Sequence, residues 1–180
     1  MIRLEELVSV TSGHAFRGSL ANLAAGGMKL IRPSDLDNFD ETKIGGYALN
    51  APVLSLNDGD ILLSNRGKFR AAIMTHPGEY VLPASIFILK VRDERILPQY
   101  LVAFFNSRRG QATLASAATQ SYIPALTKSV LGEMQIAVPP IERQRQIAGM
   151  AADVATQRKL ALEQIAANEE IMHQVMEKEK

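Results

Sequence analysis

The residues of this sequence best suited to bind a ligand are three basic side chains at alternating positions, Arg66, Lys68 and Arg70. They lie within residues 64–75, which contain no acidic residue. On a β-strand, alternating side chains share one face, so these three would line a groove there. Cations placed in this way neutralise phosphates, and an arginine can also donate two hydrogen bonds to a guanine edge. The same pattern is typical of an exposed strand edge that basic residues protect against aggregation.

A second segment without acidic residues, 95–132, contains further cations, whereas acidic residues cluster at 35–41 and 93–94. The formal net charge is only +1, so this segregation would create a local positive face on a nearly neutral protein. Charge alone favours ordinary solvated cations over a binding face. Weaker candidates for the same binding chemistry are polar or basic residues outside the alternating group: His14, Arg17, Arg108, Arg109, Gln120, Ser121 and Tyr122.

Residue types that carry out covalent catalysis or hold metals are not arranged for either task. The histidines are isolated in the sequence and there is no cysteine, so neither a zinc site nor a thiol nucleophile is expected. Asp58 and Asp60 flank a glycine, which is typical of a hairpin turn rather than a metal site. Gly26 and Gly27 lack the following Lys-Ser/Thr pair of a phosphate-binding loop. We therefore expect no metal, no cofactor and no enzymatic activity.

The apolar segments indicate a protein that does not enter a membrane. The longest apolar run, residues 80–89, contains Pro83 and is too short to span a bilayer. The N-terminus carries acidic residues early and lacks the pattern of a signal peptide. Because the absence of cysteine also suits a reducing compartment, we expect a soluble protein of the cytoplasm.

The elements that must position the candidate residues fall into a strand-rich part and a helical part. Residues 1–93 show short apolar runs separated by turn signals such as Asn-Asp-Gly-Asp at 57–60, which indicates a mostly antiparallel, curled sheet. From Pro98 to about Ala118 the apolar residues have helical spacing, and we expect one continuous helix that covers the sheet. The predicted fold class is α+β.

A double proline at 139–140 marks the start of the last element. A proline pair is tolerated there because the first N–H groups of a helix have no intrahelical partner, and no proline follows. An uninterrupted helix of about 40 residues would be about 60 Å long, which is longer than the domain that the preceding residues can build. The sequence predicts a globular domain over residues 1–138 and a long helix over residues 139–180.

A seven-residue apolar repeat along this helix indicates that it packs against another helix as a coiled coil. One member of the repeat, Asn168, is polar and would fix the register of the pairing. Packing on the helix's own domain would explain the same stripe, but a helix that extends beyond the domain favours a partner helix. The candidate partner-contacting residues are Ile147, Val154, Ala161, Ile165, Asn168, Met172 and Val175.

Short motifs of the chain, in their order, are similar to those of the specificity subunits of Type I restriction–modification systems. They are KLIRPSDL at 29–36, NDGDILLS at 57–64 followed by Arg66-Gly67, PQYL at 98–101 followed by Asn106-Ser107, TQSYIPAL at 119–126, and MQIAVPPIERQ at 134–144. Arg143 separates Glu142 from Gln144, where the commoner pattern has Glu directly before Gln. The chain resembles one target-recognition domain with one spacer helix, and the likeness covers most of its length.

The resemblance implies a half-size, non-catalytic specificity subunit, because complete family members carry two recognition domains and two spacer helices that pair antiparallel. Two copies would pair their helices around a two-fold axis and read an inverted repeat in double-stranded DNA. The implied partners are the modification (methyltransferase) subunit, which methylates adenine with S-adenosylmethionine, and, as a further candidate, the restriction subunit.

Other interpretations remain open from the sequence. A dimeric interaction scaffold, such as a degenerate half-subunit, would bind the modification subunit without reading DNA. A small metal-dependent nuclease is disfavoured because the sequence shows no acidic cluster with a catalytic lysine. The chain would also fit a fragment of a longer subunit.

Overall fold

A computed structural model describes residues 1–15, 25–47 and 52–178 of the chain. In the described residues the strands are β1 Ile2–Arg3, β2 Val8–Ser12, β3 Ala25–Leu30, β4 Gly46–Tyr47, β5 Leu54–Leu56, β6 Ile61–Ser64, β7 Ala71–Ile73, β8 Gly78–Val81, β9 Ile86–Val91 and β10 Gln135–Ile136. The α-helices are α1 Leu4–Leu7, α2 Pro98–Asn106, α3 Arg108–Ala117, α4 Lys128–Glu133 and α5 Ile141–Lys178. Short 3-10 helices cover Pro33–Asn38 and Glu41–Lys43. This composition confirms the predicted α+β class.

A central antiparallel sheet with strand order β2-β9-β6-β7 forms the middle layer of the fold. Its two innermost strands are buried on both faces because alternate side chains enter two different hydrophobic clusters. One cluster, shared with the α-helices, receives Ile61, Leu63, Phe87 and Leu89. The other receives Leu62, Ile86 and Ile88. Burial on both faces explains why these strands are apolar at most successive positions rather than only at alternate ones, with Ser64 and Lys90 as the exceptions.

The second cluster is closed by an outer sheet with strand order β4-β3-β8-β5. Its pairings are antiparallel except between β3 and β8, which run parallel. The strand-rich part of the chain, expected as one curled sheet, is thus divided into two stacked four-stranded sheets. A third, minimal sheet pairs β1 with β10 and brings the N-terminus next to the segment that leads into the double proline.

The single helix expected between Pro98 and Ala118 is wrong, because the chain breaks at Ser107 into α2 and α3. Ser107 has an extended backbone (ψ 158°), and its hydroxyl caps α3 by accepting a hydrogen bond from the Gly110 N–H at 3.0 Å. Gly110 packs directly on the carbonyl oxygen of Phe104, where a Cβ atom would clash. Apolar spacing alone does not reveal such a break, since both helices bury their apolar faces in the same cluster.

The base of α5 is anchored to the globular part of the chain by a buried glutamine. Gln144 has no exposed surface. Its amide NH₂ donates to the carbonyl oxygens of Arg95 (2.7 Å) and Pro139 (2.8 Å), and its amide oxygen accepts from the Leu97 N–H (2.8 Å). These bonds join α5, the segment before α2 and the double proline, so the glutamine of the PPIERQ motif sets the direction in which α5 leaves.

Within the described residues, no helix is long and apolar enough to cross a membrane.

Candidate nucleic-acid interface

The predicted strand that would align Arg66, Lys68 and Arg70 does not form. Residues 65–70 make a loop between β6 and β7, and Gly67 has a left-handed φ of +73° at its centre. That conformation favours glycine and interrupts strand alternation. Arg66 and Lys68 remain exposed on this loop. The prediction of one shared strand face is therefore wrong, although all three cations lie on the same loop.

Arg70 differs from the other two cations because side chains of neighbouring elements hold it. Its Nε donates to Asp37 Oδ1 at 2.7 Å, and its guanidinium also donates to Gln111 Oε1 at 3.2 Å. These contacts link the 3-10 helix Pro33–Asn38, the start of β7 and α3. Arg70 therefore has a structural role in the described geometry.

The loop that joins α3 to α4, residues 118–127, is attached to the β6–β7 loop by backbone hydrogen bonds. The Gly67 N–H donates to the Pro124 carbonyl at 2.8 Å, and the Leu126 N–H donates to the Asn65 carbonyl at 2.8 Å. Arg66 and Ala125 also face each other in an antiparallel bridge. The two loops therefore form one unit, although about 60 residues separate them in the sequence.

A groove of about 390 Å³ opens beside this pair of loops, and we call it the basic groove. None of the residues that line it is acidic, and among the described residues its two cations, Arg66 and Lys128, form no ion pair. Its walls also offer hydroxyl and amide groups. The lining residues are Ser12, Asn65, Arg66, Ala84, Ser85, Phe87, Ala125, Leu126, Thr127 and Lys128.

Asn65 makes the floor of the groove rigid. It is buried, and its side-chain NH₂ donates to the Ala84 carbonyl at 2.9 Å. Its backbone N–H donates to the Ser85 carbonyl at 2.9 Å while its own carbonyl accepts from Leu126. One residue therefore ties β6 to the start of β9 and to the α3–α4 loop. The groove cations project from a fixed frame.

Other predicted residues lie on or next to this unit. Gln120, Ser121 and Tyr122 are exposed at the tip of the α3–α4 loop. His14 is half-buried, and its carbonyl accepts from the N–H of Ala84, a groove-lining residue. The structure thus brings together Arg66, Lys68 and the loop tip, and His14 is bonded to the groove wall through its backbone.

Arg108 and Arg109 are not among the residues that line the basic groove. They are exposed in the first turn of α3, while the α3–α4 loop follows the last turn. A helix of 10 residues separates its ends by about 15 Å. Arg17 lies outside the described residues.

Sequence reasoning missed Lys128 and the polar lining residues Ser12, Asn65, Ser85 and Thr127. Lys128 belongs to the acid-free segment 95–132. The lack of acidic residues indicates that this segment is basic, but it does not distinguish Lys128 from the other cations in it. The remaining lining residues come from separate parts of the chain, and only the pairing of the two loops brings them together.

The second candidate surface is the apolar stripe of α5. This helix has 38 residues and is therefore about 57 Å long. Beyond Ala151 its described side chains are exposed, including Val154, Ile165, Met172 and Val175, as are Ala161 and Asn168. Ile147 is different, because it packs against the hydrophobic cluster of its own globular part. The free stripe therefore begins after Ile147.

An ion pair ties the middle of α5 to the globular part. Lys159 Nζ lies 3.2 Å from Asp40 Oδ2. A hydrogen bond from the Thr42 hydroxyl, followed by one from Lys159, lowers the pKa of Asp40 to about 2. Because the carboxylate is ionised at neutral pH, it supports α5 about three turns beyond the last buried contact at Ile147.

A family model described as Type I restriction modification DNA specificity domain matches residues 1–172. No curated protein sequence matches the chain significantly.

Solved structures share the fold at low sequence identity. The HsdS subunit from Thermoanaerobacter tengcongensis has 20% identity and a TM-score of 0.61, with 91% of this chain and 39% of that chain covered. The S subunit of a Type-I restriction-modification system from M. genitalium has 13% identity and a TM-score of 0.64, with 94% and 42% covered. A chain from a structure that concerns complex assembly and conformational transition of the type I R-M system has 19% identity and a TM-score of 0.65. The match covers 93% of this chain and 40% of that chain.

This chain thus spans about two-fifths of the length of those proteins. The family match, however, extends over nearly all of the sequence. It includes the strands that carry the basic groove and most of α5. The chain belongs to the family of Type I restriction modification DNA specificity domains.

Proposed function

We propose that this protein is a sequence-specific DNA-binding specificity subunit, in which residues 1–138 read the DNA and residues 139–180 space two readers. The observation that carries the proposal is the basic groove, whose cations lack acidic partners among the described residues in a chain of this family. Free cations on a rigid frame are what phosphate contacts require.

The groove also offers groups that discriminate between bases. An arginine such as Arg66 can donate two hydrogen bonds to guanine, a contact worth about 1–3 kcal/mol of discrimination. The hydroxyls of Ser12 and Ser85 in the groove, and the exposed amide of Gln120 on the adjacent loop tip, accept and donate in different patterns. The phosphate contacts would set position, and these groups would set the preferred sequence.

We further propose that two copies pair through α5. A stripe that includes Val154, Ile165 and Met172 exposes more apolar surface than a lone helix normally leaves in water. Burying such side chains against a second α5 contributes about 1.5–3 kcal/mol for each one that becomes fully buried. A two-fold axis would place the two basic grooves in opposite orientations, which suits the half-sites of an inverted repeat.

In this proposal the chain supplies no catalysis. It would hold the adenine methyltransferase (modification) subunit, and with it a restriction subunit, at the target site in the cytoplasm. The target base would be extruded and methylated by the modification subunit. The part of α5 that remains exposed in a dimer is the surface that we assign to these partners.

The test is a selection from duplexes of random sequence, performed with the purified full chain and repeated with the modification subunit added. We expect enrichment of an inverted repeat with an unspecified spacer, and an affinity that falls steeply as salt concentration rises. Retention of the modification subunit without enrichment of any sequence would contradict DNA reading and would support an interaction scaffold instead.

A further inference from the structure

The tip of the α3–α4 loop presents two apolar side chains to solvent on a fixed backbone. Tyr122 is fully exposed and Ile123 is 51% exposed. The loop closes on itself through Thr119, whose N–H donates to the Ala125 carbonyl at 2.9 Å and whose hydroxyl accepts from the Ala125 N–H at 3.1 Å. The Ser121 hydroxyl donates to the Ile123 carbonyl at 2.7 Å. The two side chains therefore project from a rigid tip.

Cations without acidic partners among the described residues surround this tip. Lys68 and Arg66 lie on the loop to which the tip is hydrogen-bonded, and Lys128 follows it in the chain. The surrounding segments 64–75 and 95–132 contain no acidic residue. An apolar protein partner would contact the tip but gain little from the surrounding cations. A nucleic acid matches both features, because its phosphates are anionic and its stacked bases have flat, apolar faces.

The spacing between tip and cations fits a nucleic acid. Tyr122 is three residues from the groove-lining Ala125, so their Cα atoms are at most about 11 Å apart. The grooves of B-DNA are about 8 Å deep, so a tyrosine side chain within this limit of the groove wall is close enough to reach the base stack. Tyrosine offers a π face to a base, and isoleucine is among the side chains that enter base steps as wedges.

We propose that Tyr122 and Ile123 form a wedge that inserts between two base pairs of bound duplex DNA while Arg66 and Lys128 hold the adjacent phosphates. This inference rests on the proposed DNA-binding function and adds a mode of recognition to it. Insertion unstacks one base step and kinks the duplex, so flexible pyrimidine–purine steps are favoured at that position. The tip thereby contributes to specificity without a hydrogen bond to a base.

The experiment uses a duplex recovered from the selection, with 2-aminopurine placed at successive positions, one position in each duplex. We expect the full-length protein to raise the fluorescence of 2-aminopurine at one step of each half-site, because an unstacked base is no longer quenched. The double variant Tyr122→Ala with Ile123→Ala loses this signal and binds about 10-fold more weakly. Tyr122→Phe keeps the signal because the ring face is retained.

Val53→Ala is the matched control, since Val53 is also an exposed apolar residue but precedes β5 of the outer sheet. It should keep both the signal and the affinity. Thermal unfolding of every variant should match that of the unchanged protein, because the substituted side chains are exposed.

The outcomes separate the two proposals. If the unchanged protein binds no duplex, the DNA-binding function and the wedge are both overturned. If it binds and the double variant shows the same fluorescence and affinity, the wedge alone is overturned. If the double variant keeps both DNA signals but loses the modification subunit, the tip is a protein-docking surface and the wedge is again overturned.

Discussion

At the scale of single residues, the side chain of Gln144 connects three backbone segments at the base of α5. The side chain is buried, and each of its three hydrogen bonds joins it to a backbone atom. The glutamine side chain is long enough to reach both Pro139, just before the helix, and the segment before α2. This reach gives a physical reason for a glutamine at the end of the motif that opens the helix. We infer that its contribution is to stability and to the direction of α5.

Replacing Gln144 with alanine should lower the free energy of unfolding by about 2–4 kcal/mol, because it removes a buried side chain and leaves partly buried backbone groups of Arg95, Leu97 and Pro139 without this partner. Denaturant unfolding measures this change. Gln146→Ala is the matched control, because Gln146 is exposed on the same helix and its loss should cost less than about 0.5 kcal/mol. Equal effects of the two substitutions would refute the anchoring role.

The cations of the basic groove have a separate, measurable role. Arg66→Ala and Lys128→Ala should each weaken DNA binding and each lower the slope of log affinity against log salt by about 0.9, the value expected for one lost phosphate contact. Arg145→Ala serves as the control, because Arg145 is an exposed cation near the base of α5, away from the groove. An unchanged slope in both groove variants would show that these side chains do not contact phosphates.

At the scale of elements, α5 would act as a spacer in the proposed dimer, and it is held at its base by Gln144 and again at Lys159. The second support depends on the ionised carboxylate of Asp40, whose pKa of about 2 lies below the ordinary value of 3.8. A carboxyl group with a lowered pKa stabilises the folded state above its unfolded pKa. That stabilisation is lost as pH falls through the folded value.

The variant Asp40→Asn should therefore have a lower melting temperature than the unchanged protein from pH 8 down to about pH 5. The difference should shrink as pH falls from about 4 to 2, because Asp40 then becomes protonated and resembles asparagine. Thermal unfolding followed by circular dichroism across this range measures the effect. A difference that stays constant down to pH 2 would contradict the role of the ionised carboxylate.

The apolar stripe of α5 should determine self-association. Ile165→Lys places a charge on the exposed stripe and should convert a dimer to a monomer without altering the globular fold, as measured by sedimentation equilibrium and circular dichroism. Thr156→Lys adds the same charge to the opposite side of the helix and should leave the dimer intact. Dissociation by both substitutions, or by neither, would argue against pairing through this face.

The elements differ in how far the sequence alone predicts them. The long helix followed from Pro139-Pro140 and the absence of later prolines, because those are local signals. The break at Ser107 does not follow from such signals, because the apolar spacing continues across it and does not show the Ser107 cap or the close approach of Gly110 to the Phe104 carbonyl. The alternation of Arg66, Lys68 and Arg70 predicts a strand that does not form, because Gly67 adopts a left-handed φ that the pattern does not show.

At the scale of the whole molecule, the basic groove is the feature that local patterns could not predict. Ser12, Asn65, Ser85 and Lys128 come from different parts of the chain, and they meet only because two loops pair through Gly67 and Leu126. The acid-free segments indicated the sign of the surface charge. The topology of the sheets determined where that surface lies.

The central claim is that two copies of this chain, held apart by paired α5 helices, read two half-sites at a set distance. Lengthening the spacer of the selected repeat by about 5 base pairs rotates one half-site by half a helical turn. The equilibrium affinity of the purified full chain for this duplex is the most direct test. The account predicts a large loss of affinity that a further insertion of about 5 base pairs partly restores, because the half-sites return to one face. An affinity that does not depend on spacer length would contradict it.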